Sequence, residues 1–220
     1  MKADLHNHTK YSNDGLTAPI TFVKTAKKKG LDAIAITDHN SIRAWPELAK
    51  LSKHYGVEII FGEEIMVFEE KKCVGEIIGL FLTDYITPSD PKTVIDTIRA
   101  QGGLSIIAHP FDSKRKPFKS LEEFARKVDA VEEFNSRCIL NQMNKKAKHF
   151  VSDRGLIGTV GSDSHTPPEI ANSYIDSPAT SSDELKKDIQ KGRFTTKTRL
   201  ASPLVHLFSP IGKLGLWKNW

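Results

Sequence analysis

The chain has 220 residues and a net charge of +5, with 39% hydrophobic and 27% charged residues. These proportions are ordinary for a soluble globular protein, and the length suits one domain with a full core. A membrane span is excluded, because no apolar run approaches ~18 residues, and so is a disulfide framework, because Cys73 and Cys138 stand far apart.

Strand-like and helix-like stretches alternate along the chain. No basic-then-apolar leader precedes the first strand, Ala3 to Asn7, so a cytoplasmic protein is expected. A polar loop with Ser12-Asn13-Asp14-Gly15 follows, and Pro19 opens a helix that should run to Lys29 and stop at Gly30. Ala33 to Ile36 is a continuous apolar strand, as burial on both faces requires. Ser41 is a cap for a helix through Tyr55, ended by Gly56, and strands follow at Val57 to Phe61 and Glu76 to Leu82. The second half repeats the rhythm: helix Pro91 to Gln101, strand Leu104 to Ala108, and a helix opened by the capping-box pair Ser120 and Glu123. Strand Ala130 to Phe134, helix Asn141 to Asp153, strand Leu156 to Val160 and helix Ser182 to Lys191 complete it. Serial units of this kind imply an α/β fold, and seven or so short strands favour a closed barrel.

Six segments carry metal-binding side chains where strands end: Asp4 to His8, Thr37 to His39, Gly62 to Glu64, Ala108 to Pro110, Glu132 to Asn135 and Gly161 to His165. Five of the eight histidines fall in them. His6 and His8, and likewise Asp163 and His165, have the two-residue spacing that puts side chains on one face of a strand. Imidazoles with carboxylates suit Zn, Mn or Fe, and this many donors could hold two or three ions. Asp4 shares the parity of His6 and His8. Asp38 is either a ligand or a group that orients a histidine. Glu63 and Glu64 compete for one role, and Asp14 is a ligand or a turn residue beside Gly15. Pro110 biases His109 toward an extended backbone. His54, His149 and His206 read as surface or structural histidines.

The positive surplus is scattered. Lys27-Lys28-Lys29 and Lys145-Lys146 fall on expected helices and read as solvated faces, which disfavours nucleic acid as a partner without excluding it. A basic rim attracting a small phosphorylated substrate needs no such motif. Arg137, and after it Arg115 within Lys114-Arg115-Lys116, are candidates to bind phosphate, since a guanidinium fork matches phosphate oxygens.

The ordered motifs Asp4-Leu5-His6-Asn7-His8-Thr9, Ser12-Asn13-Asp14-Gly15, Ile36-Thr37-Asp38-His39-Asn40, Gly62-Glu63-Glu64-Ile65, Ala108-His109-Pro110, Glu133-Phe134-Asn135 and Gly161-Ser162-Asp163-Ser164-His165 resemble the PHP family, the polymerase and histidinol phosphatase domain. The likeness runs from Asp4 to Phe194. It implies a distorted (β/α)7 barrel that holds up to three ions, often Mn, Fe or Zn, and hydrolyses phosphoesters. It also implies three positions: His6, His8, Glu64 and Asp163; Glu64 with His109 and Glu133; and Asp14, His39 and His165. By the same resemblance Glu64, not Glu63, is the shared carboxylate. The chain departs from the family in two places. Glu76 stands where many members have histidine, which favours a harder second ion, and the Asp14 loop is one residue longer.

The expected chemistry is hydrolysis of a small phosphate ester by a metal-bound hydroxide attacking phosphorus in line. Asp163 and Glu64 are essential in this scheme, while Glu76 joins the metal ligands and His39 or His165, where not ligating, protonates the leaving oxygen. The alternatives are a nuclease or polymerase-associated proofreading phosphodiesterase, and a metal-binding regulator without turnover. Residues 1–200 should form the barrel. The apolar tail, residues 201–220, should pack on the barrel bottom or on a neighbouring subunit, making a homo-oligomer.

Overall fold

The computed structural model describes residues 1–113 and 115–207. Its wall is built from β1 (Lys2–Asp4), β2 (Ala33–Ile36), β3 (Glu58–Glu69), β4 (Lys72–Leu80), β5 (Leu104–Ile107), β6 (Ala130–Asn135) and β7 (Gly158–Gly161). These lie side by side in sequence order, and β8 (Tyr174–Asp176) and β9 (Thr195–Lys197) extend the sheet past β1. Pairing along the wall is parallel except that β4 runs antiparallel to both neighbours. Beyond the strand ends the two edges meet: Asn7 bridges Ser164, Asp163 N donates to His6 O at 2.7 Å, and His8 N donates to Ser164 O at 2.8 Å. The result is a distorted, nearly closed (β/α)7 barrel. Among the described residues no helix is long and apolar enough to cross a membrane, and both cysteines are free.

Among the described residues six α-helices accompany the strands: α1 (Pro19–Lys28), α2 (Trp45–Tyr55), α3 (Pro91–Ala100), α4 (Leu121–Phe124), α5 (Asn141–Asp153) and α6 (Ser182–Lys191). Asp90 and Ser181 cap α3 and α6 through Thr93 N and Glu184 N, and Gly56 ends α2 at φ 65°. Side-chain alternation along the strands separates two environments. Ala33, Ala35, Ile60, Ile78, Leu80, Leu104 and Ile106 share the barrel's inner core, whereas Ile34, Ile36 and Ile59 pack with α1 and α2, and Ile65, Ile77, Ile107 and Val131 with α3, α4 and α5. Each such Val, Leu or Ile removed from water contributes about 1.5–3 kcal/mol. A one-residue slip would exchange the two faces of a strand, so the register is strongly held.

Three elements depart from the sequence expectation. Strands β3 and β4 join in a hairpin at Glu70 and Lys71, whose φ values are 47° and 65°. Hairpins with left-handed turn residues usually carry Asn-Gly or Asp-Gly; two charged residues gave no such signal. Helix α2 starts at Trp45 rather than near Ser41, because Pro46 fits only the first turn. Ser120 does not cap α4; its hydroxyl donates to Glu69 Oε1 at 2.9 Å, and the helix is one turn long.

The C-terminal segment is described only at its start. Strand β9 runs antiparallel to β8 toward the mouth, the end where the parallel strands finish, and beyond it Ala201 N donates to Ser136 O at 2.8 Å. The start of the apolar segment therefore lies beside the mouth and not under the barrel. Residues 208–220, including Trp217 and Trp220, and the side chains of His206 and Leu207 lie outside the described residues.

Closure at the seam depends on Gly161, where a Cβ would collide with His6 Cβ and Glu132 Oε1. The variant Gly161→Ala is expected to lose about 1–3 kcal/mol of stability to this overpacking, read by urea unfolding. An unchanged unfolding midpoint would contradict the close approach of β1, β6 and β7.

Candidate metal centre

The inner parity that is apolar low in the barrel turns acidic toward the mouth. Ile60 is followed on the same face of β3 by Glu64, and Leu80 and Ile78 on antiparallel β4 are preceded by Glu76. On β6 the inner residue after Ala130 is Glu132, because Val131 packs outward against the helices. This corrects the expected ligand Glu133. A bulge interrupts β6 between Glu132 and Phe134, and Glu133 lies half-buried outside, against Gly158. Glu63 likewise faces outward and accepts from Ile86 N at 3.0 Å, so the inner residue of that pair is Glu64.

Four donor atoms meet at a first position. His6 Nε2 lies 3.2 Å from Glu64 Oε2, 3.2 Å from His8 Nε2 and 3.6 Å from Asp163 Oδ1; His8 Nε2 is 3.3 Å from both carboxylates. Tetrahedral bonds of about 2.0–2.2 Å put donors about 3.3–3.6 Å apart. The five distances, 3.2–3.6 Å, lie close to that spacing.

Glu64 also serves a second position. His109 Nε2 stands 3.0 Å from Glu64 Oε1 and 3.5 Å from Glu76 Oε2, while His39 Nδ1 is 3.0 Å from Glu64 Oε2 and 3.7 Å from Glu76 Oε1. At a third, Asp14 Oδ1 lies 3.2 Å from His165 Nε2 and 3.8 Å from His39 Nε2, so the longer loop does reach. His39 thus stands between the second and third positions.

Hydrogen bonds fix which nitrogens face inward. His6 Nδ1 meets Glu132 Oε1 at 3.0 Å, His8 Nδ1 meets Ser12 Oγ at 3.1 Å, and His165 Nδ1 meets the Asp163 carbonyl at 2.8 Å. With Nδ1 taken by those partners, the Nε2 of each ring is the nitrogen left facing the centre. Glu132 therefore supports a ligand instead of standing among the donors, and its Oε2 also accepts from His109 N at 2.8 Å. That bond accompanies a left-handed φ of 24° at His109, in place of the extended backbone Pro110 suggested. Asn135 is the hub of this layer. Its amide donates to Glu132 Oε2 and Asp163 Oδ2, both at 3.0 Å, and its carbonyl accepts from Arg115 Nη2 and Arg137 N.

Of the two phosphate-binding candidates, Arg115 reaches the centre. It bonds Asp163 Oδ2 and, through Nε at 2.8 Å, Asp112. Arg137 Nε instead lies 3.0 Å from Glu169 Oε1. Asp4 is turned away, accepting from Ser162 N and Ala171 N, and Asp38 binds Thr9 N and Oγ1, each at 2.6 Å, and not a histidine. His54 and His149 are exposed. Sequence reasoning missed the parts played by Glu132, Asn135 and Glu169; the pattern Thr166-Pro-Pro-Glu169 is a capping box and carried a readable signal for the last.

The charges explain what the cluster needs. Burial opposes ionisation of Glu64, yet the imidazoles of His6 and His39 hold its carboxyl well below the usual range. Arg115 and His6 do the same for Asp163, again against burial. Burial lowers His8, but Asp163 and Glu64 outweigh it and hold the imidazole at about 9. His165 is pushed down to about 4 by burial and by the charge of Arg137, and so is neutral. Glu64 Oε2, Asp163 Oδ1, Asp14 Oδ1 and His39 Nδ1 are buried without a hydrogen-bond partner. Buried oxygens of this kind are costly unless a cation satisfies them. Divalent ions fit the donor chemistry, the spacing and the orphaned atoms alike.

The chain is similar to several known proteins. A family model described as the PHP domain matches residues 4–175. The uncharacterized protein MJ1587 of Methanocaldococcus jannaschii is 44% identical over 147 residues, covering 62% of this chain and 82% of that protein. Probable phosphatase YcdX of Escherichia coli O81 is 30% identical over 198 residues, covering 74% of this chain and 78% of that one. The crystal structure of a two-domain protein containing a predicted PHP-like metal-dependent phosphoesterase, from Bacteroides vulgatus, superposes with a TM-score of 0.74 at 20% identity, over 90% of this chain and 65% of that chain.

Two outcomes are expected. Replacing Glu132 by Gln should weaken divalent-ion binding about 10–100-fold, as loss of an outer partner does, while Glu133→Gln leaves it unchanged; the reverse order in a chelator competition would restore Glu133. Ion affinity should also rise from about pH 6 to pH 8, because protons held by His8 up to about 9 must leave first. The slope is up to about tenfold per pH unit for each displaced proton, and a pH-independent affinity measured by titration calorimetry would exclude these imidazoles as ligands.

Proposed function

The chain belongs to the PHP domain family, and we propose that it hydrolyses a small phosphate ester at a centre of two or three divalent ions. The observation that carries this reading is the shared carboxylate. Glu64 offers one oxygen to His109 and the other to His6, His8 and His39, so neighbouring positions are joined through it. The first ion would be held by His6, His8, Glu64 and Asp163, the second by Glu64, Glu76, His109 and His39, and the third by Asp14, His39 and His165. Two carboxylates make the second set oxygen-rich and favour a harder ion such as Mn, whereas the imidazole-rich sets also suit Zn or Fe. Ions bound there supply Lewis-acid polarisation of a phosphoryl oxygen and acidify a water molecule.

The chain's own groups do the rest. Arg115 is held at the mouth by Asp112 and Asp163 with its side chain 31% exposed, placing a guanidinium where non-bridging phosphate oxygens would arrive. His39, at 20% the most exposed imidazole of the cluster, is the group to donate a proton to the leaving oxygen when its Nε2 is not ligating. Asn135 keeps Asp163 and Arg115 in one fixed relation.

Water is the nucleophile that suits this site. The nearby hydroxyls are committed to structure: Ser12 to His8 and His39 N, Ser164 to Asn7, and Ser162 to Ser173 O. Burial pushes the Cys138 thiol up to about 12, so it stays protonated.

Mn-reconstituted protein should hydrolyse a generic phosphomonoester, with a phosphodiester assayed beside it to reveal a nuclease-like preference. Asp163→Ala should lower turnover by more than the about 10–100-fold expected for losing an outer partner, with the fold retained by circular dichroism. Turnover that survives in this variant would refute the assignment. Ion binding without hydrolysis of either ester would favour the regulatory alternative.

A further inference from the structure

His165 sits in a loop that is tied down in two directions. Glu169, 1% exposed, reaches back so that Oε2 accepts from His165 N at 3.2 Å, Thr166 N at 2.9 Å and Thr166 Oγ1 at 2.7 Å. Its other oxygen lies 3.0 Å from Nε of Arg137, a side chain only 6% exposed. On the opposite side, His165 O accepts from Leu16 N at 2.8 Å and from Thr17 Oγ1 at 3.4 Å. Those two bonds fasten the loop that carries Asp14. The ion pair therefore connects the end of β6 to both residues that belong to the third position alone.

The other ligands are anchored independently. Asp163 is held by its own amide on His6 O, by Arg115 and by Asn135, and His6 and His109 are supported by Glu132. None of these bonds passes through Glu169.

We infer that Arg137 and Glu169 are positioning residues for the third metal position, acting through His165 and, one hydrogen bond further, through Asp14. The inference rests on the metal-centre reading above. It gives Arg137 a different task from phosphate binding: its guanidinium neutralises a buried carboxylate that would otherwise be too costly to keep beside the loop. The carboxylate in turn supplies three acceptor contacts that fix where the His165 backbone lies.

The test is a count of Mn(II) ions and their affinities by equilibrium dialysis of the full chain. The parent is expected to bind three ions. Removing only one partner leaves an unpaired buried charge, so the informative variant is the double substitution Arg137→Met with Glu169→Met. It should keep two ions at parental affinity and hold the third about 10–100-fold more weakly, the usual effect of losing a group that orients a ligand. Arg137→Lys, which retains a cation for Glu169, should recover most of the third-ion affinity. A double variant that binds the third ion as tightly as the parent would overturn the inference, as would equal weakening at all three positions. A parent that binds only two ions would also overturn it, while a parent that binds none would remove the metal-centre reading itself.

Discussion

Five carboxylates, those of Asp14, Glu64, Glu76, Glu132 and Asp163, converge at the barrel mouth, where water reaches few of their oxygens. Like charges gathered out of water repel and resist desolvation, and no core could hold them ionised without positive partners. Arg115 and the protonated imidazoles of His6 and His8 meet part of that demand. Divalent ions meet it better, since each replaces protons and places two charges at the centre of a donor set. The rest of the architecture follows from the need to bring these acids together.

The barrel does so through strand parity. Apolar side chains fill the inner face low on β2, β3, β4 and β5, and the same face continues upward as Glu64 and Glu76. The hydrophobic register that secures the wall also aims the acids, so the two cannot be separated by a slip. Reversing β4 brings Glu76 to the mouth from the start of its strand, where a parallel strand would have placed it at the bottom. The bulge in β6 lets Phe134 and Asn135 rejoin β7 while Glu133 remains outside.

Much of this was legible in the sequence because the informative residues cluster at strand ends. Six of the seven wall strands, the histidines and Asp163 could be located from short apolar runs followed by His, Asp or Glu, and β4 from an apolar run preceded by Glu76. The choice between Glu132 and Glu133 was misread, although Ala130 and Val131 held the answer: the small residue faces the crowded interior and the larger one faces the helices. The hairpin at Glu70 and Lys71 gave no warning, because its left-handed turn is made by charged residues. Asn135 could be noticed but not interpreted, since two of its four hydrogen bonds, to Arg115 and Asp163, reach groups distant in sequence. The longer Asp14 loop posed a question of reach that only the meeting with His165 answers.

Family membership and the donor geometry point to the same chemistry from separate directions, one from likeness and one from spacing. The central claim is that the acids exist to hold ions in joined positions. Anomalous diffraction from crystals grown with Mn(II) tests it most directly. The account predicts one peak among His6, His8, Glu64 and Asp163 and a second beyond Glu64, between Glu76 and His109. An ion-loaded crystal with no peak at the mouth, or with a single ion that Glu64 does not touch, would contradict it.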